Sequence, residues 1–208
     1  MQTLSNQQQA GREAIRLAIG KLVAIDDWQA RCARLGLPGP DPATGAIRVD
    51  VLGGVLEIRT TDFSAVIPGN PKPPKPADHL LALHYLLGEF PMAPTGEWIT
   101  FREFPGGQFY WESFLSRSVK PLVGRVGNNT DLLRDHLGRF SAAVSHLPDG
   151  GIQAVIRALG VIEVRLAYRP GDDEFPPSAD VLYDSCARRL LCAEDAALLV
   201  GRLCLGLL

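Results

Sequence analysis

Residues 152–168, Ile152-Gln-Ala-Val-Ile-Arg-Ala-Leu-Gly-Val-Ile-Glu-Val-Arg-Leu-Ala-Tyr168, decide the fold class of this 208-residue chain. Two apolar, β-branched runs, 152–158 and 161–168, flank Leu159-Gly160, and this pattern predicts a β-hairpin. A second hairpin is predicted over 47–60, where apolar and charged residues alternate on both sides of a Gly-Gly pair. Because hairpins and helical segments are segregated along the chain, we expect a single α+β domain over 1–208, with antiparallel β-hairpins packed against several helices.

Periodic apolar residues predict the helical segments. The N-terminal helical segment, 1–36, contains one broken helix or two consecutive helices. A proline-rich connector is predicted at 69–78, and we interpret it as a stiff spacer rather than a ligand for a proline-recognising module. The remaining predicted elements are helices at 79–90, 108–123, 128–145, 178–189 and 193–208 and a strand at 97–104.

Charge and known motifs exclude several classes of function. The chain has 21 Lys and Arg against 23 Asp and Glu, a net charge of −2, whereas nucleic-acid-binding proteins usually carry a concentrated basic surface. Nucleophile-elbow, P-loop and dinucleotide-binding motifs are absent from the sequence. No apolar run reaches the roughly 18–20 residues of a membrane-spanning helix. We therefore expect a protein that binds neither nucleic acid nor membrane.

The N-terminus and the cysteines predict the compartment. The first ten residues are polar and lack the basic start and apolar run of a secretory signal. Four cysteines with irregular spacing do not form the framework of a disulfide-rich domain. We expect a cytoplasmic protein with reduced thiols.

An aromatic segment, residues 98–114, is the first candidate site, since seven aromatic residues fall within it. A predicted strand leads through Gly106 and Gly107 into a predicted helix, and the N–H groups at such a helix start suit an anion. Arg102 can add a bidentate contact to the same anion, and Trp98 and Trp111 can form its aromatic surroundings. The alternative is that these aromatic side chains belong to the core and the two glycines permit a tight turn.

An acidic segment, residues 171–184, is the second candidate site. Asp172, Asp173 and Glu174 adjoin a diproline, and Asp184 ends the segment. Clustered carboxylates can bind a hard cation, or raise one another's pKa so that one acts as a general acid. The alternative is that they face water or stabilise the start of the helix predicted at 178–189.

Three segments resemble an uncharacterised family of bacterial and archaeal proteins that share a domain of unknown function. They are Leu83-His-Tyr-Leu-Leu87, Gly96-Glu-Trp-Ile-Thr-Phe-Arg-Glu-Phe-Pro-Gly-Gly107 and Gly171-Asp-Asp-Glu-Phe-Pro-Pro-Ser-Ala-Asp-Val-Leu-Tyr-Asp184, with Glu194-Asp195 after them. The resemblance covers roughly residues 45–205. It implies occurrence mainly in anaerobes.

The same resemblance implies a role near a redox cofactor or a corrinoid. Some members carry an added cysteine-rich iron–sulfur segment or are encoded beside corrinoid-dependent one-carbon enzymes. This chain departs from those fused members because its N-terminal region contains only Cys32. Neither the cofactor nor any metal is identified by the residues themselves.

Three functional hypotheses follow. In the first, the aromatic and acidic segments line one pocket of an accessory protein that binds a small molecule or cofactor. In the second, the protein is an enzyme in which Asp172, Asp173 or Glu174 performs acid–base or metal-assisted chemistry while Arg102 orients an anionic substrate. In the third, it is a structural protein whose terminal helix, 196–208, docks on a protein partner or a second copy.

Overall fold

The structure, a computed structural model, describes residues 6–208. Contacts group this part of the chain into two compact units, residues 6–93 with Leu159–Val161, and residues 94–158 with 162–208. Each unit contains helices and antiparallel strands, so the predicted α+β class is confirmed. The single-domain organisation stays a prediction. Residues 1–5 of the predicted N-terminal segment lie outside the described residues.

The first unit follows the predicted order of elements. It contains α1 (Asn6–Leu22), α2 (Trp28–Arg34), β1 (Ala46–Val51), β2 (Gly54–Arg59), β3 (Ala65–Val66) and α3 (Pro76–Leu86). The β1–β2 hairpin is confirmed, with Ile47 opposite Ile58, and β3 pairs with the other edge of β2. Pro76 begins α3 because a first-turn residue needs no N–H partner. The last three residues of the predicted connector 69–78 therefore form a helical turn.

A buried tyrosine joins three parts of the first unit. The Tyr85 hydroxyl donates to the Leu35 carbonyl at 2.7 Å and accepts from the Val161 N–H at 3.1 Å. A Cβ added to Gly160 would lie 2.2 Å from the Tyr85 ring. The tight approach of this turn to the ring therefore requires glycine at position 160.

The second unit holds five strands and four helices among the described residues. They are β4 (Trp98–Thr100), α4 (Gly107–Arg117), α5 (Val119–Val126), α6 (Thr130–Leu137), β5 (Ala143–His146), β6 (Ile152–Leu159), β7 (Ile162–Arg169), β8 (Ser178–Asp184) and α7 (Ala193–Gly206). Strands β6, β7, β8 and β4 lie side by side in that order, and β5 also pairs with β6. The predicted hairpin of 152–168 is confirmed.

The sheet of the second unit has two different faces because strand side chains alternate. Val164, Leu166, Tyr168, Val181 and Tyr183 are buried on one face. Hydroxyls on that face donate to helical segments, from Tyr183 to the Ala196 carbonyl at 2.8 Å and from Tyr168 to the Gly127 carbonyl at 2.7 Å. The other face, which we call the open face, carries half-buried side chains: Trp98, Thr100, Glu163, Arg165, Ala167 and Leu182.

The predicted helix at 178–189 is wrong. Residues Ser178–Asp184 form β8, which pairs with β7 on one side and with β4 on the other. Only Ser185–Arg189 is helical, as a short 3-10 turn capped by the Asp184 side chain. The buried residues Val181 and Tyr183 alternate with less buried ones, as is typical of a strand. The pairing of this strand with β7 and β4 is not visible in any local sequence pattern.

Three further predicted elements of the second unit have different bounds, and the helix predicted at 79–90 in the first unit runs over Pro76–Leu86. The strand predicted at 97–104 ends at Thr100, and a 3-10 turn, Phe101–Glu103, follows. The helix predicted at 108–123 is two helices that meet at Ser118, because Pro121 lacks the N–H that an unbroken helix needs. The helix predicted at 128–145 ends at Leu137, and β5 begins at Ala143.

Candidate functional site

Asp184 ends β8 as a fully buried carboxylate. Its Oδ2 accepts from the backbone N–H groups of Thr95 and Gly96, each at 2.8 Å. Its Oδ1 accepts from the Thr95 hydroxyl at 3.0 Å and from the Cys186 N–H at 2.9 Å. The carboxylate therefore ties the segment before β4 to the 3-10 turn after β8.

The pKa of Asp184 reflects two opposing effects. Burial raises it, but the hydrogen bonds from Cys186, Gly96 and Thr95 outweigh burial and hold the pKa below the ordinary value of an aspartate. The group is ionised at neutral pH with both oxygens occupied. Asp184 thus positions neighbouring segments and presents no unused oxygen to a ligand.

A surface groove of about 450 Å³ lies at the segments that Asp184 joins. Its lining residues are Glu97, Ile99, Glu103, Ser185, Arg188 and Arg189. The two walls are joined by a backbone bond from the Ser185 N–H to the Glu97 carbonyl at 2.8 Å. The volume falls in the range of small-molecule sites, roughly 300–1,000 Å³.

The groove combines carboxylates, guanidinium groups and a hydroxyl. One Glu103 oxygen accepts from the Thr100 N–H at 2.7 Å, which occupies part of that carboxylate. The Ser185 hydroxyl is 2.8 Å from the Thr95 hydroxyl. Arg188 is exposed and forms no ion pair with another residue of the described chain. Arg188 is therefore a cation available to an anionic group in the groove.

Each of the two predicted tryptophans has an arginine stacked on its ring. The Arg102 guanidinium carbon lies 4.5 Å from the centre of the Trp111 ring. Trp98 projects to the open face, where the Arg165 guanidinium carbon lies 4.8 Å from its ring centre. The structure therefore assigns both tryptophans cation–π contacts within the second unit, at separate places.

The two predicted glycines shape a turn. Gly106 has a φ of +80°, which favours glycine. A Cβ on Gly107 would lie 2.1 Å from the Phe101 carbonyl oxygen, so only glycine fits there. The Gly107 N–H already donates to the Phe104 carbonyl at 2.8 Å. One of the N–H groups expected to bind an anion is thus used within the chain.

The acidic residues lie apart from the groove. Asp172, Asp173 and Glu174 are exposed on the turn between β7 and β8, and Asp184 is at the other end of β8, about 20 Å away at 3.3 Å per residue. Asp172 Oδ1 accepts from the N–H groups of Phe175 and Glu174, and these bonds hold its pKa below the ordinary value. Asp172 therefore shapes its own turn.

Metal ligation finds no support in the described part of the chain. No group of three or more His, Cys, Asp or Glu residues there is arranged to hold a metal ion. Cys32, Cys186 and Cys204 are buried free thiols, and Cys192 is an exposed one. No helix in residues 6–208 is long and apolar enough to cross a membrane.

The family model described as "Domain of unknown function (DUF3786)" matches residues 27–205. The chain belongs to the DUF3786 family. The DUF3786 match includes both candidate segments and the whole groove. Comparison with curated proteins and comparison with solved structures give no match. The family is one of unknown function.

The structure brings together only part of what the sequence singled out. Trp98 and Asp184 are opposite residues of paired strands. The groove adds residues that the sequence analysis missed: Glu97, Ile99, Glu103, Ser185, Arg188 and Arg189. Glu97 directly precedes the aromatic segment, Ile99 and Glu103 lie inside it, and the last three follow the acidic segment within five residues. In the sequence, only their proximity to the aromatic and acidic segments indicates these groove residues.

Proposed function

We propose that this protein binds a small molecule with a negatively charged group in the groove between β4 and the 185–189 turn. The groove itself carries this proposal, because its size suits a ligand and the buried Asp184 holds both of its walls. Arg188 supplies the charged contact, and Ser185 with Glu97 supplies hydrogen-bonding groups around it.

The ligand class that we propose includes the redox cofactors and corrinoids implied by the family resemblance. Both can carry carboxylate, amide or phosphate groups that suit a groove with guanidinium and carboxylate side chains. We infer that the protein is an accessory binding protein of the cytoplasm, and its free thiols support that compartment. Occurrence mainly in anaerobes belongs to the same proposal.

The first experiment identifies what the protein carries. Native mass spectrometry, an absorption spectrum and metal analysis are made on protein purified anaerobically from a host that synthesises corrinoids and haems. A stoichiometric bound species supports the proposal. Apo protein is then titrated with corrinoids, haems, flavins, nucleotides and dicarboxylates, and the melting temperature is followed. A melting temperature that no compound of this panel changes contradicts the proposal.

Matched variants locate the site. Arg188→Gln removes the proposed charged contact, whereas Arg117→Gln removes an exposed arginine from α4, outside the groove. We expect the first variant to weaken binding at least tenfold and the second to bind like the wild type. Equal binding by both variants contradicts the assignment to the groove.

Acid–base catalysis by the acidic turn has less support. A general acid at neutral pH needs a raised pKa, whereas the pKa of Asp172 is lowered by the N–H groups of its own turn. Self-association through 196–208 also has limited support, because Leu199, Leu203 and Leu207 are buried within the chain and Leu205 is exposed. Light scattering tests this alternative.

A further inference from the structure

Arg165 is a half-buried cation to which the described part of the chain supplies no counter-ion. Its Nε is inaccessible to solvent and donates to no acceptor in the described residues. No carboxylate of residues 6–208 forms an ion pair with its guanidinium group. Buried polar atoms almost always have partners, and a buried charge without one is unfavourable. The solvent-inaccessible Nε without an acceptor distinguishes Arg165 from an exposed, unpaired arginine such as Arg188.

A second arginine on the same strand shows the contrast. Arg169 lies four residues further along β7, on the same open face. Its Nε is 3.0 Å from a carboxylate oxygen of Asp149, and one terminal nitrogen is 3.0 Å from Asp180. Residues 6–208 thus supply two carboxylates to Arg169 and none to Arg165.

Trp98 orients the unpaired guanidinium. The ring lies 4.8 Å from the guanidinium carbon, so one face of the planar group is covered by an aromatic surface. The N–H bonds of a guanidinium radiate in its own plane, where they match two oxygens of a carboxylate or phosphate. Ala167 and Leu182, its neighbours on the open face, offer no side-chain acceptor.

We propose that Arg165, supported by Trp98, binds the oxyanion group of a small molecule, either a carboxylate or a phosphate, on the open face of the second unit. This site is separate from the groove, since neither residue lines it. Three acids share the face, and one of them across the strand pair, Asp180, is taken by its ion pair with Arg169. Asp184 is occupied by four donors, whereas Glu163, about 6.6 Å along β7, repels an anion. Glu163 therefore limits the affinity.

Anion titration of matched variants tests the proposal. Phosphate and, separately, acetate are added at constant ionic strength to the wild type, Arg165→Met and Arg169→Met, each with Trp28→Phe to remove one unrelated tryptophan. Tryptophan fluorescence and melting temperature are measured. We expect saturable binding by the wild type and Arg169→Met, and at least tenfold weaker binding by Arg165→Met. The anion that saturates identifies the oxyanion class.

Three further variants sharpen the result. Glu163→Gln is expected to bind the anion several-fold more tightly because it removes the repelling charge. Arg165→Lys keeps the charge but loses the planar donor pair, so it is expected to bind the anion several-fold more weakly than the wild type. This variant tests the proposal if Arg165→Met does not fold. Arg188→Gln is expected to leave the response unchanged, which separates this site from the groove.

The opposite results overturn the proposal. These are equal anion binding by Arg165→Met and the wild type, an equal loss in Arg169→Met, or no saturable response of the wild type to either anion. A response abolished by Arg188→Gln and kept by Arg165→Met assigns the anion to the groove instead. That result supports the proposed function of the groove and contradicts the proposed site at Arg165.

Discussion

Replacing Asp184 with asparagine changes one carboxylate oxygen into an amide nitrogen. In the wild type, Oδ2 accepts from the N–H groups of Thr95 and Gly96, each at 2.8 Å. In the variant, the asparagine Oδ1 can still accept from the Thr95 hydroxyl and the Cys186 N–H. Its side-chain NH2 group, itself a donor, then lies against the N–H groups of Thr95 and Gly96 in place of an acceptor. Hydrogen bonds to a charged group contribute about 1.5–3 kcal/mol each. Asp184→Asn is therefore expected to lower the free energy of unfolding by about 3–6 kcal/mol.

The assay is urea denaturation at neutral pH, followed by tryptophan fluorescence in a Trp28→Phe background so that Trp98 and Trp111 report on the second unit. Asp180→Asn is the matched control, because that exposed carboxylate lies on the same strand and pairs with Arg169 at the surface. An exposed pair contributes about 1 kcal/mol or less. Equal unfolding midpoints for the two variants would refute the reasoning about Asp184.

The pH dependence gives an independent check. The pKa of Asp184 is lower in the folded protein than in the unfolded chain. Its contribution is therefore fully present above the unfolded pKa, about 3.9, and is lost as the pH falls through the lower folded value. The difference in stability between wild type and Asp184→Asn is expected to shrink below about pH 4. A difference that is constant down to pH 3 contradicts the assigned cause.

Three other changes have clear expected outcomes. Gly107→Ala is expected to destabilise the protein by about 3 kcal/mol or to prevent folding, because its Cβ would lie 2.1 Å from the Phe101 carbonyl oxygen. Its control is Gly124→Ala, in open space on α5. This control is expected to stabilise the protein by about 0.5–1 kcal/mol in the same denaturation assay. Tyr85→Phe leaves a buried carbonyl and a buried N–H without their hydroxyl partner, so it is expected to lower the unfolding free energy by about 2–4 kcal/mol; a loss below 0.5 kcal/mol, on the order of an unremarkable surface change, contradicts this. Titration of the native protein with a thiol reagent is expected to modify the exposed Cys192 first and the other three thiols only on unfolding. Modification of a second thiol in the native protein would contradict the burial described.

Burial also changes the chemistry of the protected thiols. It raises the pKa of Cys32 to about 11 and that of Cys204 to about 12. The thiolate is the reactive form, so these groups stay almost entirely protonated at neutral pH. Their slow modification is therefore expected to follow global or local unfolding.

Local patterns predicted the candidate site only in part. Trp98 and Asp184 were singled out from unusual composition, and the structure places them opposite each other on paired strands. The Asp184 carboxylate meets Thr95, 89 positions earlier in the chain, through a bond that no sequence spacing indicates. Arg165 carried no local signal, because an arginine alternating with apolar residues is typical of any half-buried strand.

The sequence by itself determined the α+β class, both hairpins, the N-terminal helices and the terminal helix, because alternation and helical periodicity are properties of neighbouring residues. Only the tertiary structure decided that residues 178–184 form a strand, since their conformation depends on pairing with β7 and β4. The same pairing determines the groove, the Asp184 contacts and the unpaired Arg165. Each of these features depends on residues far apart in the chain, and their proximity is created by the packing of whole elements.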